Sequence, residues 1–360
     1  MRALHGLVTV LILGSAPGRA GQVEHRLNVM TWNLFVGVHF ADARKEYRSI
    51  WTLPQTVDRL FAQVAENDFR VRALALAREI DARRPDVICL QEVALWRRAA
   101  GPAFDARALG TFVAKQDFLA ILKTALRGRG LAYRVAAVGE NEDLRVPSLR
   151  RGRIRLTDRN AILISEQIRV VESRSGRFAA QRELRWRGFR FAFRRGWAAA
   201  VLERGGRRFR VLDVHLDLDP KIKRAQVGEL LAMVSRGDLP TVVAGDFNLD
   251  PDRLAWLRRA FARHGLTDAW PAAGRGPGGT CCQAKPLTRR RSGLRVRVDL
   301  ILASREFFQV RAAQRLGASQ AARARFPDGR RRWISDHAGV AAELVGTPPR
   351  RLRSAFGTAP

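Results

Sequence analysis

The chain has 360 residues, 46% of them hydrophobic, and its 65 basic and 34 acidic residues give a formal net charge of +31. This length and hydrophobic content allow one large or two modest domains with a sizeable core, and they exclude a globally disordered chain. The basic excess favours a polyanionic partner or an anionic surface, although a soluble protein with a merely basic surface accounts for it equally well.

The first twenty residues have the three parts of a secretory signal. Arg2 supplies a positive start, residues 7–13 form a short apolar run, and residues 15–20 are small and turn-prone apart from Arg19. We therefore expect residues 1–20 to be a signal peptide and the mature protein to be secreted or periplasmic. The alternative is an extension that precedes the first strand. The apolar run is too short to anchor the chain in a bilayer, and no later segment looks transmembrane.

Strands and helices follow this leader in alternation. The segment HRLNVMTWNLFVG predicts a strand that ends at Asn33. Apolar residues at helical spacing predict a helix over residues 57–84, which Pro85 ends. The segment DVICLQEV predicts a short buried strand that ends near Glu92. A second helix is expected over residues 111–126.

The middle and the end of the chain carry many short strands. Between residues 132 and 214 these are separated by Gly, Arg or Ser, and Gly205-Gly206 between two alternating runs predicts a hairpin. Helical spacing returns at residues 221–235 and 254–264, and the final strands are RVRVDLILAS and HAGVAAELV. The pattern predicts an α+β fold in which a mixed sheet sandwich carries outer helices.

The organisation expected from this pattern is a single domain over residues 25–345, because no linker is strong enough to split it. A flexible basic tail is expected over residues 346–360.

The three cysteines are assigned separately. Cys89 lies in an apolar run and is expected to be a buried thiol. Cys281 and Cys282 are adjacent, and neighbouring cysteines reach disulfide geometry only with strain, so free thiols are favoured and a strained vicinal disulfide is the alternative. No spacing of cysteine and histidine along the chain predicts a zinc site.

Six predicted strands carry a polar group, at an end or inside, that chemistry could use. These residues are Asn33, Glu92, His215, Asp246 with Asn248, Asp299, and Asp336 with His337. Each alone has a simpler interpretation as a turn, a cap or an exposed residue. Asp299 differs, because a carboxylate flanked by Val298 and Leu300 is costly to bury unless it is paired. The six together favour a shared site.

The ordered segments TWNL, LQEV, HLD, GDFN, VDLILAS and SDHAGV resemble those of the endonuclease/exonuclease/phosphatase (deoxyribonuclease I-like) superfamily, over about residues 27–344. The resemblance implies a four-layer α/β/β/α sandwich of two mixed sheets with outer helices. It also implies hydrolysis of a phosphate ester with a divalent metal, Mg²⁺ or else Mn²⁺ or Ca²⁺. Such a cation offsets the charge of the phosphoryl oxygens, and Mg²⁺ needs only one or two carboxylates.

The resemblance gives five residues a role at the metal, at the attacking water or beside them at the phosphoryl oxygens. Glu92 would be the principal metal ligand, with Asn33 assisting it. Asp246 would orient or deprotonate the attacking water, and Asn248 would donate hydrogen bonds to phosphoryl oxygens. Asp336 would contribute to a second metal position or to water activation.

The phosphate is assigned to five more residues on the same basis. His337 would stabilise developing charge or transfer a proton, with Asp299 holding its ring. His215 would face the phosphate from the other sheet. Asn160 matches a position near the phosphate, and Arg159 beside it would bind an anion or would be one more surface arginine.

The substrate stays open at this point, beyond a phosphate ester acted on by an expected monomer. A secreted nuclease would track DNA or RNA with its arginine-rich surface. A sphingomyelinase-like phospholipase C would need an exposed apolar loop, for which residues 39–56 and 191–197 are candidates. A phosphatase would act on a small phosphorylated lipid or sugar from a compact basic pocket.

Two further alternatives are disfavoured by the residues present. Abasic-site endonucleases carry a WN.NG.R start, whereas this chain has WNLFVGV, which counts against a dedicated role in DNA repair. A non-catalytic relative that binds an anionic polymer or a membrane would be expected to lack chemical positions such as Glu92 or His337, and both are present.

Overall fold

The computed structural model describes residues 25–39, 52–99, 112–186, 189–284 and 287–347. The helices are α1 (Leu53–Glu66), α2 (Phe69–Arg83), α3 (Phe118–Arg127), α4 (Pro220–Ser235), α5 (Ala255–Arg263) and α6 (Ala269–Ala273). The strands up to residue 204 are β1 (Arg26–Asn33), β2 (Val87–Gln91), β3 (Leu95–Ala99), β4 (Val113–Asp117), β5 (Tyr133–Ser148), β6 (Gly152–Ser165), β7 (Arg169–Arg177), β8 (Arg182–Trp186), β9 (Phe189–Phe193) and β10 (Gly196–Arg204). The later strands are β11 (Arg207–His215), β12 (Thr241–Asp246), β13 (Leu266–Asp268), β14 (Asp299–Ser304), β15 (Phe308–Leu316), β16 (Ala324–Arg325), β17 (Arg331–Arg332) and β18 (Gly339–Gly346).

Two helices, α1 and α2, replace the single helix predicted over residues 57–84. The helix is interrupted before Asp68. The side chain of Asp68 accepts a hydrogen bond from the backbone N–H of Arg70 and caps α2. At the other end Arg84 adopts the left-handed conformation at φ 47° and Pro85 follows, so the helix ends where it was predicted to end. The interruption was missed because the apolar spacing continues across it.

The helix predicted over residues 111–126 is also shorter than expected. Residues 113–117 form β4, and Asp117 then caps α3 by accepting hydrogen bonds from the backbone N–H groups of Leu119 and Ala120. The two later helices agree with their predicted ranges. In α4, Asp219 is the N-cap and Pro220 occupies the first turn, where a missing N–H costs nothing.

Most strands form two mixed sheets, while β8 with β9 and β16 with β17 form separate two-stranded sheets. The first has the order β15-β18-β1-β2-β6-β3-β4, with β5 paired to β6, and the second has the order β13-β14-β12-β11-β10-β7. In each sheet one central pair is parallel, β1 with β2 and β11 with β12. The predicted hairpin is confirmed: Gly205 and Gly206 join β10 to β11 with φ of 55° and 75°, as a two-residue turn of this hand requires.

Alternation along the central strands sorts side chains into three apolar layers. Val29 and Val242 belong to the layer between the two sheets, together with the buried thiol of Cys89. Their neighbours point outward: Met30 belongs to the core that includes α1, α2 and α3, and Val243 belongs to the core that includes α4 and α5. The four-layer α/β/β/α sandwich is thereby confirmed.

Both ends of the predicted domain contribute to one sheet, since β1 and β18 are neighbours. The expected signal peptide lies outside the described residues, as do residues 348–360 of the expected tail and residues 40–51 of the candidate apolar loop. Within the described ranges, no helix combines the length and the apolar character needed to cross a bilayer.

Candidate active site

The polar residues predicted at strand ends meet at one edge of the sandwich. Asn33 and His215 are the last residues of β1 and β11. The partners of these strands are the parallel strands β2 and β12, so Glu92 after β2 and Asp246 at the end of β12 lie at the same edge. The antiparallel strands β14 and β18 start at this edge, which adds Asp299, paired in register with Asp246, and residues 336–337.

The backbone turns sharply where these strands end. Glu92 and Asn248 have φ of 54° and 50°, values that residues other than glycine seldom adopt and that cluster at functional sites. Gly245 has φ of 153°, and a Cβ there would lie 2.0 Å from the backbone oxygen of Val214. The glycine is therefore needed for the close approach of β11 and β12.

Asn33 joins the two sheets through its side chain. Its amide nitrogen donates to Oε1 of Glu92 at 3.1 Å and to Oδ2 of Asp246 at 3.0 Å. Its amide oxygen accepts from the backbone N–H of Phe35 at 2.9 Å. In this arrangement Asn33 fixes the distance between two carboxylates, and ligation of a metal by its oxygen stays a prediction.

Asp246 is the centre of the cluster. Its Oδ1 accepts from the backbone N–H of Asn248 at 2.8 Å. Its Oδ2 lies 3.5 Å from Nε2 of His215 and 3.8 Å from Nε2 of His337. The side chain of Asp246 is 1% exposed, so a carboxylate with an imidazole on each side is held out of bulk water.

The surroundings of the two histidines shift their pKa values in opposite directions. Burial alone would lower the pKa of His337, but Asp299, Asp246 and Asp336 outweigh it and raise that pKa well above its usual value. The Nδ1–H group of His337 donates to Oδ2 of Asp299 at 2.9 Å. For His215, burial, Arg195 and His337 all act in the same direction and hold its pKa well below the usual value.

The partner of His215 also sets its tautomer. Nη1 of Arg195 lies 3.1 Å from Nδ1 of His215. A guanidinium only donates hydrogen bonds, so Nδ1 is the acceptor and the proton of the neutral ring lies on Nε2, on the side of Asp246. The site thus presents a neutral imidazole with an N–H group and a positively charged imidazolium.

The carboxylates fit a hard divalent cation. Burial first, and then Asp336, raises the pKa of Glu92. Burial also raises the pKa values of Asp246 and Asp336, and Asp246 adds to the shift of Asp336. Glu92 and Asp336 are half-buried and Asp246 is buried, and such mutually repelling carboxylate oxygens are the donors that Mg²⁺ and Ca²⁺ prefer. A second group able to hold an ion consists of Asp246, Asp299 and His337, whose donor atoms all lie within 4.8 Å of one another.

Asn248 lies beside Asp246 as predicted, and its side chain already makes one hydrogen bond. Its amide nitrogen donates to the backbone oxygen of Leu216 at 2.9 Å. An amide nitrogen carries two hydrogens, so one remains for a phosphoryl oxygen. Donation to the phosphate stays a prediction.

Arg159 and Asn160 lie in β6 and are committed to other partners. The guanidinium of Arg159 donates to the backbone oxygen of Val93 and pairs with Asp117 at 2.5 Å, and the residue is 8% exposed. The structure therefore gives Arg159 a role in holding the start of α3, which corrects its interpretation as a substrate-binding group. Asn160 is fully buried: its amide oxygen accepts from Asn141, and its amide nitrogen donates to the backbone oxygens of Gly196 and Asp213.

The sequence pattern does not single out three basic residues that lie at or beside the site. Arg195 contacts His215 and lies 3.6 Å from Asp158, whose pKa is raised to about 7 by burial against the opposing effect of Arg195. Lys223 donates from Nζ to the backbone oxygen of Asn248 at 2.7 Å. Arg72 is fully buried behind the site. No local motif distinguishes these residues from the other basic residues of the chain.

The segment that carries Cys281 and Cys282 lies directly beside His337. The two sulfurs form a vicinal disulfide, so the favoured prediction of free thiols is wrong and its alternative is correct. The hydroxyl oxygen of Thr280, the preceding residue, accepts hydrogen bonds from the backbone N–H groups of Val298 and Asp299, both at 3.1 Å. This segment therefore fixes the start of β14 and with it Asp299.

Comparison with known proteins agrees with this geometry. The Endonuclease/Exonuclease/phosphatase family matches residues 30–337. No curated protein matches the chain. An endonuclease/exonuclease/phosphatase family protein from Bacteroides thetaiotaomicron has 19% sequence identity and a TM-score of 0.59, with 90% of this chain and 99% of that chain covered.

Two other solved structures are similar. A mannosyl-6-phosphatase from the same bacterium has 19% identity and a TM-score of 0.56, over 89% of this chain and 99% of that one. A humanized D. rerio TDP2 has 15% identity and a TM-score of 0.50, over 89% and 98% of the two chains. At these identities the structures show the shared fold alone. The family match covers the predicted site residues from Asn33 to His337 and shows that the chain belongs to the endonuclease/exonuclease/phosphatase family.

Proposed function

We propose that the protein is a divalent-metal-dependent hydrolase of phosphate esters and that it is exported. The observation that carries the proposal is the buried group of Asp246, His215 and His337 beside Asn33 and Glu92. A carboxylate between a neutral and a charged imidazole supplies an acceptor for a proton of water and two donors for an anionic phosphoryl group.

The residues divide the reaction as follows. Asp246 orients the attacking water and takes its proton as the new P–O bond forms, while the ester P–O bond breaks and the leaving oxygen takes a proton from solvent. His337, kept charged by Asp299, donates a hydrogen bond to the phosphoryl group as negative charge develops. His215 donates from Nε2 to a second phosphoryl oxygen.

The metal would be held by Glu92, with Asp336 as its carboxylate neighbour. When bound, such a cation polarises the phosphoryl oxygens and offsets their charge. Asn33 keeps Glu92 in place through the hydrogen bond at 3.1 Å. Arg72 supports the charge balance from behind, since its positive charge lowers the pKa of Asp336.

A nuclease is the second candidate, favoured by an arginine-lined cleft of about 610 Å³. It is lined by Thr288, Arg290, Gln320, Arg323, Arg330 and Arg331. Arg323 is 6% exposed, and its Nε has no hydrogen-bond partner among the described residues. A cleft with several cations and an unsatisfied buried donor suits a second phosphate of a polyanionic substrate.

Removal of divalent metal is expected to abolish activity. Plasmid DNA, RNA, sphingomyelin, phosphatidylinositol phosphates and sugar phosphates are offered with Mg²⁺, Mn²⁺ or Ca²⁺, with and without a chelator. Hydrolysis that persists in chelator contradicts the metal proposal. If nucleic acid is the substrate, the rate is expected to fall steeply with added salt, and a flat response excludes the nuclease.

Export predicts a shortened chain. When the full-length gene product is expressed in a bacterium, the mature protein is expected outside the cytoplasm with Gly21 as its first residue, because residues 15–20 are small and turn-prone apart from Arg19. N-terminal sequencing checks this. Recovery of an uncleaved chain from the cytoplasm contradicts the export proposal and leaves the enzymatic proposal intact.

A further inference from the structure

A second kind of ligand set lies at the rim of the site. The sulfurs of Cys281 and Cys282 and a ring nitrogen of His337 all lie within 4.8 Å of one another. These donors are nitrogen and sulfur, whereas the donors of Glu92 and Asp336 are oxygen. The sequence predicts no zinc site because His337 follows the cysteines by more than fifty positions, and only the fold brings the three residues together.

Backbone pairing fixes this arrangement. Cys281 forms a β-bridge with His337. The backbone N–H of Ala338 donates to the oxygen of Thr280 at 2.8 Å, and that of Gln283 donates to the oxygen of Asp336 at 2.7 Å. The cysteines and the histidine are thus carried by two segments joined to each other, and their separation does not depend on side-chain packing alone.

The oxidised pair cannot coordinate a metal well, because both sulfurs are used in the disulfide. A dithiol reductant transfers two electrons and two protons to this disulfide. The disulfide becomes two thiols, and the reductant is oxidised to its own disulfide. On binding a cation each thiol releases its proton to solvent and becomes a thiolate ligand. Freed from their bond, the sulfurs can separate to the roughly 3.7 Å that tetrahedral Zn–S bonds of about 2.3 Å require.

We infer that reduced Cys281, Cys282 and His337 form a binding site for a thiophilic divalent cation such as Zn²⁺ or Cd²⁺. Cys282 is exposed, while Cys281 and His337 are 6% and 8% exposed, so the cation enters from solvent and ends beside the catalytic cluster. Sulfur and imidazole ligands select these ions over Mg²⁺.

Occupation of the site inhibits hydrolysis, a consequence that rests on the proposed function. Nδ1 of His337 contacts Asp299 and Nε2 faces Asp246. Whichever nitrogen binds the cation, His337 loses either its orienting contact or its contact with the phosphoryl group. The thiol pair would therefore couple the redox state of the surroundings to sensitivity towards thiophilic metals.

The binding test uses Cd²⁺ and needs no substrate. The protein is reduced with a dithiol, freed of reductant without oxygen, and titrated while the ultraviolet charge-transfer absorption of cadmium thiolates is recorded. We expect about one Cd²⁺ per reduced chain and none per oxidised chain. The double variant Cys281→Ser with Cys282→Ser is expected to lose the signal, and the matched control Cys89→Ser, at a buried free thiol, is expected to keep it.

Two outcomes overturn the inference: a reduced wild-type chain without the absorption, or a double variant that retains it. The single variant Cys282→Ser, at an exposed position, decides the matter if the double variant does not fold. With activity measured in saturating Mg²⁺, one equivalent of Cd²⁺ should inhibit the reduced wild type at least about tenfold more than the double variant. Equal inhibition removes the link to His337, and an absence of any hydrolase activity contradicts the proposed function while the absorption still decides the binding site.

Discussion

His337→Gln is expected to lower kcat for phosphoester hydrolysis by about 10²- to 10³-fold, the range for loss of a group that stabilises charge developing in the transition state. Glutamine retains a donor of similar reach but no positive charge. The wild-type ring is charged because Asp299, Asp246 and Asp336 raise its pKa despite burial. The substitution therefore removes the charge that faces the phosphoryl group, and KM should change less than kcat if that charge acts mainly in the transition state.

Asp299→Asn tests how that charge is maintained. The wild-type pKa of His337 is raised, so the ring keeps its proton as pH rises and activity should persist into the alkaline range. Without the Asp299 carboxylate only Asp246 and Asp336 oppose the effect of burial, so the pKa of His337 should fall and the alkaline limb of the pH–rate profile should move to lower pH. A profile that is unchanged in Asp299→Asn contradicts the role given to this pair.

The matched control for the histidine is His264→Gln. His264 is exposed at the end of α5, and its ring contacts only the backbone oxygen of Ala260 among the bonds described. Its replacement should leave the kinetics unchanged. A fall in kcat of less than about tenfold in His337→Gln, against this control, would show that His337 has no part in the chemistry.

The strand-end residues could be found from the sequence because each interrupts an apolar run. A buried strand that ends in Asp246, or begins with Asp299, indicates by its residue pattern alone that the charge has a partner. The sheet register then brings these residues together, since parallel neighbours end and antiparallel neighbours begin at the same edge. A mixed sheet sandwich with outer helices could be anticipated for a similar reason, because period-two and helical spacing are local properties. The four-layer arrangement was implied by the family resemblance.

The arginines of the site could not be identified in this way. The sequence pattern singles out Arg159 and not Arg195, although only Arg195 contacts a site histidine. In a chain with 65 basic residues, residue type carries almost no information, and Arg195 reaches His215 only through the pairing of β10 with β11. The vicinal disulfide was likewise undecidable, because proximity in sequence says nothing about the backbone that surrounds the two cysteines.

Arg72→Met is expected to destabilise the protein by at least about 3 kcal/mol, because it leaves several buried backbone oxygens without a donor. The guanidinium donates to Leu34 at 2.6 Å, to Ile334 and Phe35 at 3.0 Å, and to Asn67 at 2.9 Å. These oxygens belong to the loop after β1, the loop before Asp336 and the break between α1 and α2. One side chain therefore connects these three segments.

Burial lowers the pKa of Arg72 to about 10 against the opposing effect of Asp336. The guanidinium still keeps its charge at neutral pH, and it lies 4.9 Å from the ring centroid of Phe69. Methionine matches much of its apolar length but supplies none of these donors. Thermal or urea unfolding measures the loss. Activity at low temperature, where the variant remains folded, should also fall, because the loops that carry Asn33 and Asp336 lose their common support.

Arg78→Met is the matched control, since Arg78 lies on the same helix with its side chain exposed. Its replacement is expected to change the free energy of unfolding by no more than about 0.5 kcal/mol. Equal stabilities for the two variants would mean that water or local rearrangement satisfies the freed oxygens. The site would then be held by its own hydrogen bonds, chiefly those of Asn33, and Arg72 would merely fill space. A large loss of stability in Arg72→Met but not in Arg78→Met would show that the site is supported by Arg72, a residue that no motif identifies.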